Sequence, residues 1–487
     1  MCNNKKKILA YFLIFFIFIT DSFSQDDNIL YFMHSLPQAN ITNPAVQIEC
    51  PIFIGIPALS SIHAGYSNSY CSYNNVIIKN NDTIIPNISY AFKYPNSRQY
   101  INSELHLSIL NFGFKNKRKY YFNFNIQDKI EAGIIFPTNL IRFPFEGNTA
   151  HVGENYNLSG LRIFGIYYRE WALSISKVIN NKLTAGIRGK ILFGKANIHT
   201  FKNNIFLYTS SDIYQLNASS DITIKTSPID VNINNSHELP EVNFPENISV
   251  KNFLLNGKNK GIALDIGVLY NYNENITFSA SILDIGCIYW KFNPSMINEK
   301  STFEFNGFYY NPNTNEFEGI DNLIDSFQYS YSFSTNTLAY FTLMSPKFYF
   351  GGIYYLNDYL NSGLLLRNEL YHKRRITSIT SSLNGRYKKI CGSISWTVIN
   401  KSLLNFGCGI GLNITGFGFY ALSDNLIAAF KYKSVRYTNI RFGFNLLLGC
   451  KKAALLKKST PTCAAYRDVD EKKIRFQNWL SKMKKNK

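Results

Sequence analysis

Residues 119–137 alternate apolar and polar side chains with period two. Of the nine even positions, eight are apolar (Tyr120, Phe122, Phe124, Ile126, Ile130, Ala132, Ile134 and Phe136) and Asp128 is the exception. Lys119, Asn123, Asn125, Gln127, Lys129 and Glu131 fill the odd positions with polar groups. Successive strand side chains point to opposite faces, so this segment has one greasy face and one wet face. A soluble strand averages about five or six residues, whereas a strand crossing a bilayer needs about 9–11, so the length predicts a membrane barrel.

The same rhythm recurs from residue 61 to 449. Leu161 to Val178 leads through Asn180-Asn181 into Leu183, Ala185, Ile187, Ile191 and Phe193, which alternate with Arg188 and Lys190. Asn-Asn accepts the positive φ angles of tight hairpins. Further hairpins are predicted with turns at Asn273-Glu274-Asn275, Asn357-Asp358 and Asn400-Lys401. Longer polar stretches lie at roughly 138–160, 200–260 and 292–335 and read as loops. Short turns at one end and long loops at the other is the asymmetry of outer-membrane barrels. The expected fold class is all-β, a transmembrane antiparallel β-barrel of about 14 strands. Arg169 and Lys177 share parity with Ile163, Trp171 and Ile175, which requires either a bulge or an interfacial position.

Charged residues within the alternating strands matter because Lys or Arg on the lipid face at mid-depth costs about 2–4 kcal/mol. Arg162, Glu170, Arg188 and Lys190, with Asp284, Arg367 and Glu369, are therefore expected in the lumen, either lining a polar conduit or satisfying one another in a packed interior.

Residues 25–60 do not alternate. Pro37, Pro44, Pro51 and Pro57 argue against helix and central strand, and the segment, with Asn43, Pro44 and Ala45 as its candidate core, reads as a plug in the barrel mouth or as a periplasmic leader. Ahead of it, Lys5, Lys6 and Lys7 precede an apolar run from Ile8 to Ile19, followed by Ser22-Phe23-Ser24. This is the layout of a secretory signal over residues 1–24, with an uncleaved anchor as the alternative.

Arg441 to Leu448 resembles the terminal insertion signal of outer-membrane proteins, and residues 450–487 would then hang in the periplasm. There Asp468 and Glu471 form a capping-box-like start. Val469, Phe476, Trp479, Leu480 and Met483 recur at helical spacing opposite Lys472, Lys473, Lys482 and Lys484. Such a helix over 468–484 would lie on an anionic surface or dock onto an envelope partner; a solvated tail is the alternative. The net charge of +19 is concentrated here, since the tail holds twelve Lys or Arg against Asp468, Asp470 and Glu471. Nucleic acid is thus a poor explanation of the charge, and membrane or envelope partners a better one.

Of the eight cysteines, Cys2 leaves with the signal. The rest are scattered without a CxxC pair, so no metal ligand set is expected. Cys450 and Cys463 bracket a short segment and are a candidate disulfide in an oxidising periplasm, with free thiols as the alternative. Seven single histidines and the absence of GxSxG, HExxH and P-loop motifs give no catalytic centre and no cofactor site.

Several motifs carry a family resemblance. Leu36-Pro37-Gln38, Asn43-Pro44-Ala45 and Gly55 to Ser61 resemble the opening of a Bacteroidetes-type outer-membrane barrel family, the domain-of-unknown-function family 5723. Phe136-Pro137 and Phe145-Glu146-Gly147-Asn148 are similar to that family too, as are Gly189-Lys190, Phe193-Gly194 and Ala196-Asn197. The likeness spans roughly residues 28–450. The Asn-Pro-Ala piece also resembles one near the start of FadL-type fatty-acid channels and of PorP/SprF-like proteins associated with secretion and gliding. These resemblances imply a non-enzymatic outer-membrane barrel with an N-terminal plug. They leave two activities open: a channel for small or hydrophobic solutes, or an anchor or accessory subunit of an envelope assembly acting through its tail.

Overall fold

In the computed structural model of the chain, the described residues are 27–450 apart from 71, 81–82, 88, 91–96, 148, 212–214, 229, 233–240, 244–249, 306–308, 312–315, 319–329, 331, 372–373, 400–401, 415 and 431–435. The signal segment and the 468–484 helix with Phe476, Trp479, Leu480 and Met483 lie outside them, as does Cys463.

The chain forms a closed antiparallel barrel of 14 staves. The first stave is β1 (Ile52–Gly55) and β2 (Ile62–Asn68), interrupted at 56–61. Then come β3 (Arg98–Lys115), β4 (Tyr120–Pro137), β5 (Arg162–Val178) and β6 (Leu183–Thr209). A strand outside the barrel, β7 (Leu216–Ser227), precedes the staves β8 (Asn259–Asn271) and β9 (Ile276–Trp290). After the accessory strands β10 (Ser295–Phe305) and β11 (Phe333–Asn336), β12 (Tyr340–Leu343) and β13 (Lys347–Tyr355) share one stave beside β9. The ring continues through β14 (Leu360–Tyr371), β15 (Arg374–Tyr387), β16 (Ile390–Ile399), β17 (Ser402–Ile414), β18 (Phe417–Ser423) and β19 (Tyr437–Leu448). It closes where β1 and β2 pair with both β3 and β19, for example Ile52 with Phe114 and Leu448. Closure leaves no unpaired edge in the hydrocarbon, where backbone amides have no water to bond. Among the described residues no helix is long and apolar enough to cross a membrane.

The outer wall is apolar. Ile187, Ile191, Ile262, Leu173, Phe278, Phe350, Leu364, Ile394 and Ile440 are all exposed, a patch far larger than a soluble monomer presents. The strict period-two reading fails at five register shifts among the described residues, two of them on the β6–β7 and β16–β17 ladders. The β3 register shifts between Ser108 and Leu110, the β5–β6 register between Tyr167 and Tyr168, and the β8–β9 register between Leu264 and Ile266. Each inserts a residue and flips the parity of the rest of its strand, which is why β6 and β9 carry apolar residues on both faces in sequence. The stretches 200–260 and 292–335 are more than loops: β6 runs past the neighbouring stave to Thr209 and pairs there with β7, which pairs with β10 and, through it, β11. Both faces of this extension meet water, so no apolar alternation marks it. Tyr371 and Arg374, and Ile399 and Ser402, bound their strands at the long-loop end with two residues between each pair in sequence, so the asymmetry is partial; the predicted Asn400-Lys401 turn lies outside the described residues.

Two outward-facing cations resolve differently from one another. The β4–β5 register is continuous from Tyr120↔Lys177 to Ile135↔Arg162, so no bulge separates them from the apolar stripe. Lys177 sits at the short-turn end with its Nζ 4.7 Å from the centre of the Tyr120 ring. Arg169 lies directly opposite Asp128 and donates to both its carboxylate oxygens, at 2.7 and 2.8 Å, while the Tyr167 hydroxyl adds a third contact at 3.2 Å. The two exceptions to the greasy stripe neutralise each other. Asp128→Asn leaves the guanidinium unbalanced on the outer wall, which costs about 2–4 kcal/mol at mid-depth and less near an interface. Its unfolding midpoint in urea should fall, and Asp128→Leu with Arg169→Leu should recover most of the loss. An additive double mutant would refute the coupling.

The disulfide expectation is corrected. Cys450 bonds to Cys50, with Cα atoms 4.3 Å apart and 400 residues between them in sequence. Pairing of Ile52 with Leu448 carries the start of the first stave to the end of the last, so the partner comes from topology rather than from the nearby Cys463.

Candidate functional site

The barrel is filled from within. Residues 27–50 are almost wholly buried in the lumen, beginning with the helix α1 (Asn28–Phe32), none of whose residues reaches solvent. Pro37 and Pro44 keep the segment out of the sheet, and it packs against the inner wall instead. Ile29, Leu30, Met33 and Leu36 pack with Leu422 and Tyr420, and Tyr31 stacks on Tyr349 at 5.4 Å and donates to Ser279 at 2.9 Å. Several of its polar groups find specific partners there. Gln38 donates to the Ser60 carbonyl at 2.9 Å and to Asn445 Oδ1 at 2.8 Å. Asp27 forms a bidentate pair with Arg441 at 2.7 and 2.8 Å. At the short-turn end Gln47 reaches Ser176, Glu49 meets Arg386, and Cys50 enters its disulfide.

Asn43, Pro44 and Ala45 form the tightest part of this fit. Asn43 Oδ1 accepts from the Ala45 amide at 2.9 Å, an Asx turn. Its amide group donates to the Val268 and Ala280 carbonyls at 3.3 and 3.4 Å. The wall gives way to them with glycine: a Cβ on Gly267 would stand 2.1 Å from Asn43 Oδ1, and one on Gly186 would stand 2.3 Å from the Pro44 carbonyl oxygen. Only a residue without a side chain permits that approach.

Beside the plug, toward the long-loop end, a belt of buried ion pairs crosses the lumen. Lys190 Nζ lies 2.5 Å from Asp284, 2.8 Å from Asp265 and 3.6 Å from Glu170, and Lys129 bonds to Glu170 at 2.9 Å. Glu131 on β4 stands 4.0 Å from His106 Nε2 on β3, which is equally close to Glu104. Glu369 pairs with Arg367 at 2.5 Å and with Lys347 at 3.8 Å. Arg188 joins network and plug, bonding Asp265 at 3.3 Å, the Ile41 carbonyl at 3.2 Å and the Asn40 carbonyl. The β9 bulge contributes directly, since Asp284 takes a φ of 61° there and its amide donates to Asp265 at 2.7 Å. Removing one member of such a buried pair strands the other and costs about 3–5 kcal/mol.

Past this belt the inner wall turns aromatic. Tyr168, Leu192, Ala263, Ile288, Trp290 and Tyr340 form one buried cluster. Tyr100, Ile135 and Phe164 form another with Ile376 from across the barrel. Trp290 donates to Thr342 at 3.1 Å and Tyr340 to Asn197 at 2.9 Å, so their polar tips are satisfied.

The structure thus brings Glu170, Arg188 and Lys190 into one network with Asp284, and places Arg367 and Glu369 in its continuation. Arg162 stands apart at the end of β5, half-buried and near Arg98. Lys129, Asp265, Lys347 and the Asp27–Arg441 pair were not singled out by sequence. Lys129 and Asp265 carried a usable signal, an ionisable residue inside an alternating strand, whereas Asp27 lies where no period exists.

A family profile described as "Family of unknown function (DUF5723)" matches residues 44–424. Among curated proteins none matches. In shape the chain is similar to the toluene transporter TbuX of Ralstonia pickettii, at 10% identity and a TM-score of 0.37 over 84% of this chain and 93% of that one. It is similar also to a FadL homologue of Pseudomonas aeruginosa, at 9% and 0.39 over 88% and 100%. The toluene transporter TodX of Pseudomonas putida gives 7% and 0.35 over 88% and 94%.

Proposed function

We propose that this chain, which belongs to the DUF5723 family of unknown function, is an outer-membrane conduit for small apolar solutes that its own N-terminal segment holds shut. The observation that carries the reading is the match between residues 27–50 and the inner wall. A barrel serving only as an anchor has no need of a lumen shaped around a separate, non-sheet segment, with glycines cleared beneath Asn43 and Pro44. The aromatic cluster at the long-loop end supports the choice of solute. Tyr168, Leu192, Ile288 and Trp290 pack together on the inner wall, so a solute crossing that level would part apolar side chains and meet no unsatisfied polar group.

The test is uptake by proteoliposomes containing the full mature chain, using a monoaromatic hydrocarbon and a hydrophilic sugar of similar size as probes. Once the plug is displaced, the hydrocarbon should enter faster than it enters protein-free vesicles, and the sugar should not. Equal rates for both probes, or none above background once the plug is displaced, would refute the conduit.

A further inference from the structure

We infer that the lumenal ion-pair belt is an ion barrier in its own right, separate from the plug, and that it leaves the passage to uncharged solutes. This rests on the conduit reading. The belt sets Lys129, Arg188, Lys190, Lys347 and Arg367 against Glu170, Asp265, Asp284 and Glu369, and beside them His106 lies 4.0 Å from both Glu104 and Glu131. All twelve are carried by the wall, on β3, β4, β5, β6, β8, β9, β13 and β14, and none by residues 27–50. Arg188 ties the belt to the plug through Asn40 and Ile41, whereas the pairs of Lys129, Lys190, Lys347 and Arg367 run from wall residue to wall residue. The belt therefore persists when the plug leaves.

Its pairing is what excludes ions. A small ion arriving from the long-loop end meets charges already engaged by opposite ones, and it must either sit desolvated or break a buried pair. An uncharged solute carries no such penalty. One neutralised member changes this: the surplus charge draws water and counter-ions into the lumen, and the sign of the surplus selects which ions enter.

The experiment measures reversal potentials in planar bilayers under a KCl gradient, with Gly267→Leu, which displaces residues 27–50 from the lumen, as the parent in which each charge variant is made. Lys190→Gln leaves surplus negative charge at Asp265 and Asp284 and should give a cation-selective leak. Asp284→Asn leaves surplus positive charge at Lys190 and should give an anion-selective leak, with a reversal potential of opposite sign. The double variant should return to the low conductance of the parent. Assembly of each is checked by heat-modifiable gel mobility, and if Lys190→Gln does not assemble, Lys129→Gln and Glu170→Gln give the same opposite-sign comparison. Variants that all match the parent, or that leak with one common preference, overturn the barrier. Charge-following selectivity in a barrel that passes no hydrocarbon would sink the conduit reading and leave the barrier standing; hydrocarbon uptake with unaltered selectivity does the reverse.

Discussion

Gly267→Leu is expected to unseat the plug and raise hydrocarbon uptake by about two orders of magnitude, the equivalent of roughly 3 kcal/mol of overpacking applied to one side of a closed–open equilibrium. Gly267 faces inward on β8, and the first carbon added there already overlaps Asn43 and stands 2.8 Å from Pro44 Cδ. Neither neighbour can step aside: Asn43 is fixed by its Asx turn and its donations to Val268 and Ala280, and Pro44 by its ring. The strand should tolerate the change, because leucine suits a sheet better than glycine and the apolar outer face is untouched. Gly189→Leu, where an added Cβ meets nothing within 4 Å, is the control. Displacement is read independently by chymotrypsin cleavage at Tyr31 or Phe32, which are buried in the parent. Parental uptake and parental protection in a folded Gly267→Leu barrel would mean that the plug is not held by this fit.

Removing the disulfide should cost comparable free energy and act on the barrel itself. Cys50–Cys450 joins the chain's exit from the lumen to the end of β19, across the seam where the ring closes. That seam runs through an interrupted stave, since β1 contributes four residues before the break at 56–61. A cross-link over so long a loop stabilises by about 2–5 kcal/mol, mainly by restricting the unfolded chain. Cys50→Ser with Cys450→Ser should therefore unfold in detergent at a clearly lower temperature, and reductant should bring the parent toward the variant. An unchanged midpoint would place the strength of the seam in its hydrogen bonds alone. The same variant should also loosen the plug's lower end, because Glu49–Arg386 and Gln47–Ser176 would then hold it without a covalent tie.

Residues whose environment repeats every second position were readable from the chain alone. The run Tyr120 to Phe136 declares a greasy outer wall by its own rhythm, and Arg441 to Leu448 lies within the strand that completes the ring. Charge inside an alternating strand points inward because hydrocarbon rejects it, and Glu170, Arg188 and Lys190 lie accordingly. Pro37 and Pro44 keep residues 27–50 out of the sheet, whereas Ile52–Gly55, read with them as non-strand, joins the first stave. What the chain alone could not supply is whatever depends on which distant strand lies alongside. Asp128 looked like a flaw until Arg169 stood opposite it, and Cys450 had a nearer candidate than the Cys50 that pairing brings to it. The bulges of β3, β6 and β9 flip parity without a mark in composition, and one of them turns Asp284 into the belt. The physical reason is one of range: burial against lipid or lumen acts on each residue separately and so leaves a local pattern, whereas register, bulges and cross-links are settled between different segments, 41 residues apart for Asp128 and Arg169 and 400 for Cys50 and Cys450, and only the folded sheet brings those segments together.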